Sequence, residues 1–481
     1  MERKILALSP PLFWADWRCD RRLASIPQMP RRGAWWLMAE IFPFNAYRYN
    51  LERVNLSEVV TQPYDKITPA MQDRYLKLPY NLITIEKGRP EPGDLASNNV
   101  YTRAAKVLED WIASGILVRD ATPGIYVYSQ EYRVPGGARR LSRRGFIALG
   151  RVEDYSQGVV FRHEKTLSGP KADRLELLRS TRTHTGQLFM LYTDAERGID
   201  LLLDGVARAP AAAEARDEND VVHRLWPVFD PATIAEIRRR MSGQKLVVAD
   251  GHHRYETALA YRDERRSQTG QAGQPDLDAP WEKTMMTFFN TCSEGLLILP
   301  THRVISNLPR FDAATFRRGL ADTFDEESYS FASDAARTVA TDRFQRDLAA
   351  GGRTGRVLGM YTPGEFTIFR LRPDALLDAL MPADSPAQRE FDVVLLHRVL
   401  LERGLGITPA AVTAEQNITY EREMKGAVAA VDQGRAQAAF ILNPVRVEQV
   451  TQMALAGEVM PQKSTDFYPK LLSGLTLYRL E

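Results

Sequence analysis

The chain has 481 residues, and its 63 basic and 61 acidic residues leave a net charge of only +2. Hydrophobic residues make up 44% of it and charged residues 26%, which is typical of a globular protein with a sizeable core, and the length predicts two or three domains. The near-zero charge excludes a global attraction to nucleic acid, no run of about 18 apolar residues predicts a membrane span, and two cysteines are too few for a disulfide framework.

These properties favour a cytoplasmic protein that binds neither nucleic acid nor membrane. Homo-oligomerisation stays open.

Residues 1–37 differ from the rest of the chain because they are rich in tryptophan and arginine and have no clear helical or strand period. They lack the apolar stretch and the small-residue cleavage site of a secretory signal. An organellar transit peptide and a basic arm remain alternatives. We favour a third interpretation, in which Met38 is the true start and the upstream segment is disordered or never made.

The elements up to residue 152 follow from capping residues and hydrophobic period. Thr68 is the expected N-cap of a helix that begins at Pro69, NLITIEKG (81–88) predicts a short strand, and residues 99–116 predict a helix that ends near Gly115. The segments GIYVYSQEYRV and RRGFIALGRV predict two strands, joined by a turn around PGGARR.

Helices and strands continue to alternate over the next 150 residues. We predict a helix over 171–181, strands at QLFMLYTD and HRLWPVFD, and a helix capped by Asp230 in which Glu236 pairs with an arginine one turn later. LVVADGHHRYETALAY then predicts strand, tight turn and helix. With a boundary near SNLPRFD, the prediction is a mixed α/β protein of two folded regions, residues 38–308 and an α/β region at 309–481.

The segment ADGHHRYET (249–257) concentrates polar groups where an apolar strand meets a helix. Gly251 permits a sharp turn, and the first N–H groups of a helix form an anion site. Arg254 can grip a phosphate, protonated His252 and His253 can donate to it, and Asp250 can hold a metal ion or act as a base. The alternative is an Asp250 N-cap with solvent-exposed neighbours.

Three other groups of residues are candidates for a site. His163 and Glu164 lie in a loop between a strand and a helix and could supply a base or a metal ligand. Lys463, Ser464 and Thr465 resemble the end of a phosphate loop, but the glycines of a Walker motif are missing. A weaker set could contact substrate, with a structural role as the alternative: Arg48, Tyr64, Asp65, His302 and Arg303.

Six short stretches of this chain resemble those of a large bacterial and archaeal family of unknown function, and they occur in the same order. The family's shared stretches are PF–A–RY, PYD, HE–T–P–DR, ADGHHRYET, LPTHRV and MP–KST–F–PK, and the resemblance extends over about Phe42 to Leu475. Residues 1–37 have no counterpart in it.

The DGHHR core also resembles the ParB/sulfiredoxin-like superfamily, in which an arginine-bearing turn at a helix start binds nucleotide phosphates. The sulfiredoxin cysteine has no equivalent here, and no partition-protein helix-turn-helix is evident. Free serine kinases share the DGHHR form most closely. The resemblance therefore implies a ParB/sulfiredoxin-like core with large insertions and phosphotransfer from ATP or ADP, with Mg²⁺, to a small hydroxylated molecule such as L-serine.

Under this hypothesis, phosphate contacts come from Gly251 to Arg254 and from the 463–465 tail. Asp250 or Glu164 holds the metal ion or takes the acceptor's proton, and His163 is a further catalytic candidate. Two alternatives remain: a metal-dependent hydrolase that uses the histidines as ligands, and a nucleotide-binding regulatory protein without turnover.

Overall fold

A computed structural model describes residues 39–164, 169–270 and 275–481, and these residues form two compact units. The first unit contains the described residues up to Leu297 together with Pro469–Glu481, and the second contains Ile298–Tyr468. The change of unit thus falls before the predicted boundary near residue 308, and the last segment returns to the first unit. The predictions for residues 1–37 lie outside the described residues.

Most strands of the first unit join one mixed sheet, in the order β6-β11-β8-β12-β5-β4-β10-β9, with β1 paired to β5. The strands are β1 (Ile41–Phe42), β2 (Tyr47–Tyr49), β3 (Leu117–Arg119), β4 (Ile125–Arg133), β5 (Arg140–Arg151), β6 (Val160–Arg162), β7 (Thr183–His184), β8 (Leu188–Tyr192), β9 (Ala213–Arg216), β10 (Val222–Val228), β11 (Leu246–Asp250) and β12 (Lys283–Asn290).

The helices of the first unit pack around this sheet, and several begin at the predicted caps. Thr68 accepts a hydrogen bond from the Met71 N–H, and Asp230 accepts one from the Thr233 N–H. The helices are α1 (Leu56–Val59), α2 (Pro69–Tyr75), α3 (Ile83–Glu86), α4 (Val100–Ala113), α5 (Gly169–Thr181), α6 (Gly198–Val206), α7 (Pro231–Met241) and α8 (His252–Gln268).

The sheet places two loops side by side. Strand β6 pairs in parallel with β11, with Arg162 opposite Val248, so His163 leaves the end of β6 beside the last residues of β11. Because the carboxyl ends of parallel strands meet at one edge of a sheet, the residues that follow β6 and β11 form a common surface. The predicted HE and DGHHR segments are therefore neighbours.

The second unit contains a separate sheet, in the order β15-β17-β16-β19-β14-β18. The strands of this sheet are β14 (His302–Ile305), β15 (Phe324–Ser330), β16 (Val357–Thr362), β17 (Glu365–Leu371), β18 (Ile418–Glu421) and β19 (Ala438–Ile441). The strands β13 (Leu297–Leu299), at which the unit begins, and β20 (Asp466–Tyr468) pair with each other instead. Strand β21 (Tyr478–Arg479) belongs to the first unit and pairs with β7.

The core of the second unit lies between its sheet and its helices. There the ring of Phe344, on a helix, stacks on the ring of Phe366, on strand β17. The helices are α9 (Ala313–Arg318), α10 (Asp334–Thr354), α11 (Leu377–Leu380), α12 (Asp392–Leu395), a π-helix (Leu396–Gly404), α13 (Pro409–Thr413), α14 (Met424–Asp432) and α15 (Val447–Leu455). Two sheets with helices packed on them confirm the mixed α/β class. Among the described helices, none is both long and apolar enough to cross a bilayer.

One predicted element is wrong: NLITIEKG is not a strand but contains helix α3. Asn81 favours the helix over the strand. Its side-chain oxygen accepts a hydrogen bond from the Ile83 N–H, and this turn leads into the first residue of α3. The apolar run of this segment is buried, but within a helical turn. A short apolar run is compatible with either element, so the period could not separate them.

Candidate functional site

The turn between β11 and α8 depends on Gly251. Its φ is +93°, and a Cβ at this position would lie 3.0 Å from Leu188 Cδ2 and 3.2 Å from Arg254 Nε. The Gly251 N–H donates to Asp250 Oδ1 at 2.9 Å, so the side chain of Asp250 folds back over the turn. Only glycine combines this backbone conformation with such close neighbours. The residue fixes the direction in which α8 leaves the sheet.

Asp250 carries a negative charge beside several cations. The Lys470 Nζ lies 3.2 Å from Asp250 Oδ2, and the side chain of Lys470 is 8% exposed. Burial by itself would raise the pKa of Asp250, but the positive charges of Lys470, Arg254 and Lys66 outweigh it and hold that pKa well below its usual range. Asp250 is therefore an ionised carboxylate, and the surrounding field is positive.

Lys470 is held in place through its backbone. The Gln130 side-chain amide donates to the Lys470 carbonyl at 2.8 Å, and the buried Arg143 guanidinium donates to the Pro469 carbonyl and, at 2.7 Å, to Gln130 Oε1. Arg143 itself is fully buried, with Phe289 4.9 Å from its guanidinium carbon. The C-terminal segment is thus anchored to β4 and β5, and this fixes the position of its lysine.

His163 and His252 form a buried pair of rings whose centroids are 4.8 Å apart. His163 Nδ1 lies 2.8 Å from the Val248 carbonyl oxygen, which fixes Nδ1 as the protonated nitrogen. Burial lowers the pKa of His163 to about 4 and lowers that of His252 well below its ordinary value. Both imidazoles are neutral at pH 7. His252 can thus donate one N–H to a ligand as a neutral ring. It does not carry the positive charge predicted from the sequence.

Three buried polar atoms near the start of α8 have no hydrogen-bond partner among the described residues: His252 Nε2, Arg254 Nε and Ser473 Oγ. A Cβ at Gly186 would lie 3.1 Å from Arg254 Nη1 and 3.2 Å from Ser473 Oγ, so these two side chains meet over this glycine. Buried polar groups without partners are rare in proteins and point to a bound water or ion. The arrangement is suited to an anion.

A small cavity of about 50 Å³ lies beside Arg254. The buried Glu86 is in its wall, accepts a hydrogen bond from the Thr185 hydroxyl, and lies 3.5 Å from Arg174 Nη1. Arg174 stacks on the Tyr64 ring at 4.4 Å, and burial raises the pKa of Tyr64 to about 12, opposed by the nearby charge of Arg254. Arg174, which lines this cavity together with Arg254, is therefore the residue that contacts the PYDK turn.

The first unit brings together most of the residues predicted for the site: His163, Asp250, Gly251, His252, Arg254 and Tyr64. Glu164 and His253 are their half-buried neighbours in sequence, and Asp65 is exposed. Arg48 instead forms an ion pair of 2.6 Å with Asp120, whose carboxylate also accepts from Tyr126. This interaction ties β2 to the loop after β3 and gives Arg48 a structural role.

The other predicted residues belong to the second unit. His302 accepts a hydrogen bond of 3.2 Å from the Leu442 N–H, and burial lowers its pKa to about 3. Arg303 is 1% exposed and donates to the carbonyl oxygens of Thr301 and Lys463. Ser464 lies on the wall of a larger pocket within this unit. Thr465 immediately precedes β20.

Sequence reasoning missed four polar residues of the site, although three of them stand inside quoted segments. Lys470 ends the MP–KST–F–PK stretch and Arg174 ends HE–T–P–DR, whereas Lys66 directly follows PYD. Glu86 was hidden by the wrong strand prediction. The useful signal was a charged residue beside an apolar run, as for Glu86 after LITI and Lys470 before LL. Their common location depends on the tertiary fold.

No three histidine, cysteine, aspartate or glutamate side chains within the described ranges are grouped so that they could hold a metal ion. Asp250 is an oxygen ligand of the kind that Mg²⁺ prefers, and Mg²⁺ commonly takes one or two carboxylates together with substrate phosphates. Asp250 could therefore supply one ligand to a Mg²⁺ ion whose other ligands came from a bound phosphate compound and water.

Comparison with solved structures finds weak similarities. A conserved hypothetical protein from Pyrococcus furiosus is 12% identical, with a TM-score of 0.30 over 66% of this chain and 91% of that chain. A mutant free serine kinase in complex with ADP is 11% identical, with a TM-score of 0.31 over 66% and 89%. C-terminally truncated SbnI from Staphylococcus aureus is 9% identical, with a TM-score of 0.31 over 68% and 87%.

These values are too low to assign an activity. A search of curated proteins finds no match to the chain. A protein-family model, in contrast, matches residues 41–394, well over half of the chain. The chain belongs to the family described as "Protein of unknown function (DUF1015)".

Proposed function

We propose that the first unit is a phosphotransferase that moves a phosphoryl group from ATP or ADP to the hydroxyl group of a small metabolite, with free L-serine as the first acceptor to test. One observation carries the proposal. The start of α8 presents buried polar atoms without partners, His252 Nε2 and Arg254 Nε, beside the cation Lys470. A phosphate group would satisfy these atoms and would be attracted by the positive field.

Phosphate binding would use both the backbone and the side chains of this turn. The first N–H groups of α8 have no intrahelical acceptor, and Gly251 has no side chain to block an approaching oxygen. Arg254 provides a planar, permanently charged donor that matches phosphate geometry. Lys470 and Lys66 would neutralise further charge. Phosphoryl transfer needs mainly positioning and charge neutralisation, and these residues supply both.

The acceptor would lie where a carboxylate can receive its proton. In the transfer step, the acceptor hydroxyl oxygen forms a bond to the terminal phosphorus, the bond from that phosphorus to its bridging oxygen breaks, and the hydroxyl proton passes to a carboxylate. Asp250 and Glu164 are the two candidates for this base. Asp250 is kept ionised by its cationic neighbours, so it is better suited to hold Mg²⁺, which leaves Glu164 as the base. When bound, Mg²⁺ would neutralise charge on the phosphate oxygens.

The binding step is tested with Arg254→Ala. Isothermal titration with ATP and with ADP, each with Mg²⁺, should show an affinity at least tenfold weaker than that of the unchanged protein. Arg239→Ala is a matched control, because Arg239 lies on the exposed face of α7 and pairs with Glu236. Equal affinity in the Arg254→Ala and Arg239→Ala proteins would refute the phosphate site.

The transfer step is tested by product formation. The protein is incubated with ATP or ADP, Mg²⁺ and a pool of amino acids and sugars, and phosphorylated products are identified by mass. A phosphorylated hydroxyl compound that is lost in Arg254→Ala supports the proposal. Nucleotide binding without any such product, together with a nucleotide-dependent change of oligomeric state, would favour the regulatory alternative.

A further inference from the structure

The second unit contains a pocket of about 760 Å³ that is formed entirely by its own residues. The walls come from the end of α10, from the segment 390–393 at the start of α12, from the loop 442–446 before α15, and from residues 300–303 with Ser464. A volume of this size is within the range of pockets that enclose nucleotide-sized ligands. The phosphotransfer proposed for the first unit makes no use of it.

Close packing of α10 against the 442–446 loop shapes one wall. A Cβ at Gly352 would lie 2.3 Å from Asn443 Nδ2, so the loop approaches the helix where no side chain intervenes. Asn443 Nδ2 donates to the Leu348 carbonyl at 3.0 Å. His302 supports the same loop by accepting the hydrogen bond from the Leu442 N–H. Specific hydrogen bonds and close packing therefore hold this wall of the pocket in place.

The charges that line the pocket are predominantly positive. Its four basic residues are Arg303, Arg353, Arg356 and Arg446, and its two acidic residues are Glu390 and Asp392. Arg303 is buried, whereas Arg353 and Arg446 are exposed at the pocket. Guanidinium matches phosphate oxygens in a bidentate manner, so this set of arginines is suited to a phosphate group.

Two carboxyl groups lie among these arginines. Glu390 lies 3.9 Å from Arg356 Nη2, a distance at the limit of an ion pair. Burial raises the pKa of Asp392 to about 7, although Arg356 and Arg446 both lower it. In its protonated form, Asp392 donates a hydrogen bond instead of repelling an anion.

Helix α15 adds backbone donors to the same pocket. It begins at Val447, directly after Arg446, and Arg446 and Gln449 both line the pocket. Gln449 accepts a hydrogen bond from the Arg446 N–H at 3.1 Å, which orders the first turn. The positive end of a helix favours an anion, and it reinforces the neighbouring arginines.

We propose that this pocket of the second unit binds a small molecule that carries phosphate groups, of up to nucleotide size. Arg446 and Arg353 would contact it from the open side, and Arg356 and Arg303 from the interior.

The test measures binding of pyrophosphate to the full chain that carries Arg254→Ala, so that a phosphate site in the first unit does not contribute. Adding Arg353→Gln and Arg446→Gln should weaken pyrophosphate binding at least tenfold, because both exposed guanidinium groups are lost. Arg435→Gln is the matched control, since Arg435 is an exposed arginine of the same unit that contacts Gln433. It should change the affinity by less than twofold. Circular dichroism checks that each variant is folded.

Three outcomes would overturn the proposal: no pyrophosphate binding in the Arg254→Ala chain, equal binding with and without the two glutamine substitutions, or an equal loss in Arg435→Gln. Binding of citrate as tight as that of pyrophosphate would also overturn it, because it would show recognition of charge without recognition of phosphate. The proposed phosphotransfer is judged separately, by ATP affinity and product formation in the unchanged protein and in Arg254→Ala.

Discussion

The Nζ of Lys470 lies 3.2 Å from Oδ2 of Asp250, although 219 positions of sequence separate the two residues. This contact places a buried cation from the end of the chain against the turn that begins α8. It decides the charge state of Asp250 and contributes to the positive field that would attract a phosphate.

Replacing Lys470 by methionine should therefore affect both stability and binding. We expect the free energy of unfolding at pH 7 to fall by about 3 kcal/mol, because a mostly buried carboxylate loses its partner. The affinity for ATP should fall at least tenfold. Lys470→Arg retains the charge and should recover part of both losses. Urea denaturation and isothermal titration measure the two effects, and an unchanged ATP affinity in Lys470→Met would contradict the role in binding.

The same variant makes a prediction about pH. The pKa of Asp250 is lower in the folded protein than in the unfolded chain, so its stabilising contribution is present above about pH 4 and is lost as the pH falls further. The difference in unfolding free energy between the unchanged protein and Lys470→Met should be largest near pH 7 and should shrink below about pH 4. Urea denaturation at a series of pH values shows this, and a difference that grows on acidification would exclude the ion pair as its source.

His163 should make the protein sensitive to acid over a higher range. Its pKa is about 4 when folded and 6.5 when unfolded, so between these values the unfolded state binds the extra proton. Stability should therefore decrease as the pH falls from about 6.5 to about 4, by about 1.4 kcal/mol per pH unit for this residue. His163→Gln should flatten the curve by this amount, as measured by urea denaturation. Parallel curves for the two proteins would contradict the assignment.

Gly251 can be compared with Gly243, because both have a left-handed backbone. A Cβ at Gly243 would have open space around it, so Gly243→Ala should cost only the backbone strain of about 1–2 kcal/mol. Gly251→Ala adds contacts with Leu188 and Arg254, and we expect it to be more destabilising and to weaken ATP binding. Thermal unfolding and isothermal titration measure both variants. Equal effects on ATP affinity would show that the Gly251 turn has no special role in binding.

Arg143 is expected to act on the site through the backbone of the C-terminal segment. Arg143→Met leaves the Pro469 carbonyl and the Gln130 amide oxygen without this donor, which should cost about 2–4 kcal/mol. The ATP affinity should also fall, because Lys470 is no longer fixed. Lysine keeps the positive charge but has one nitrogen in place of the guanidinium group. Arg143→Lys should therefore lie between the unchanged protein and Arg143→Met in both stability and ATP affinity. A loss of stability with full ATP affinity would limit Arg143 to a structural role.

Local features of the fold were readable from the sequence. The strand, turn and helix around ADGHHRYET, the caps Thr68 and Asp230, and the pairing of Glu236 with Arg239 and Arg240 all depend on residues a few positions apart, and the structure confirms them. The segment NLITIEKG was misassigned because a short apolar run has no decisive period and one asparagine determines its turn.

The candidate site was only partly predictable, for a physical reason. His163 and His252 could be proposed from their segments, but their neutral state follows from burial, which composition does not give. The pairing of Asp250 with Lys470 depends on Arg143 and Gln130, which anchor the tail from two strands in the middle of the sheet. Such contacts between distant positions arise only from the complete fold.

The return of Pro469–Glu481 to the first unit has a consequence for biosynthesis. A ribosome translates all of Ile298–Tyr468 before it reaches Lys470, so the first unit emerges without Lys470 beside Asp250 and without the Pro469 carbonyl that accepts from Arg143. For that interval Asp250 keeps the positive charges of Arg254 and Lys66, and Arg143 keeps its hydrogen bond to Gln130. The growing chain cannot assemble the candidate site early, and completion of this unit waits for its last-made segment.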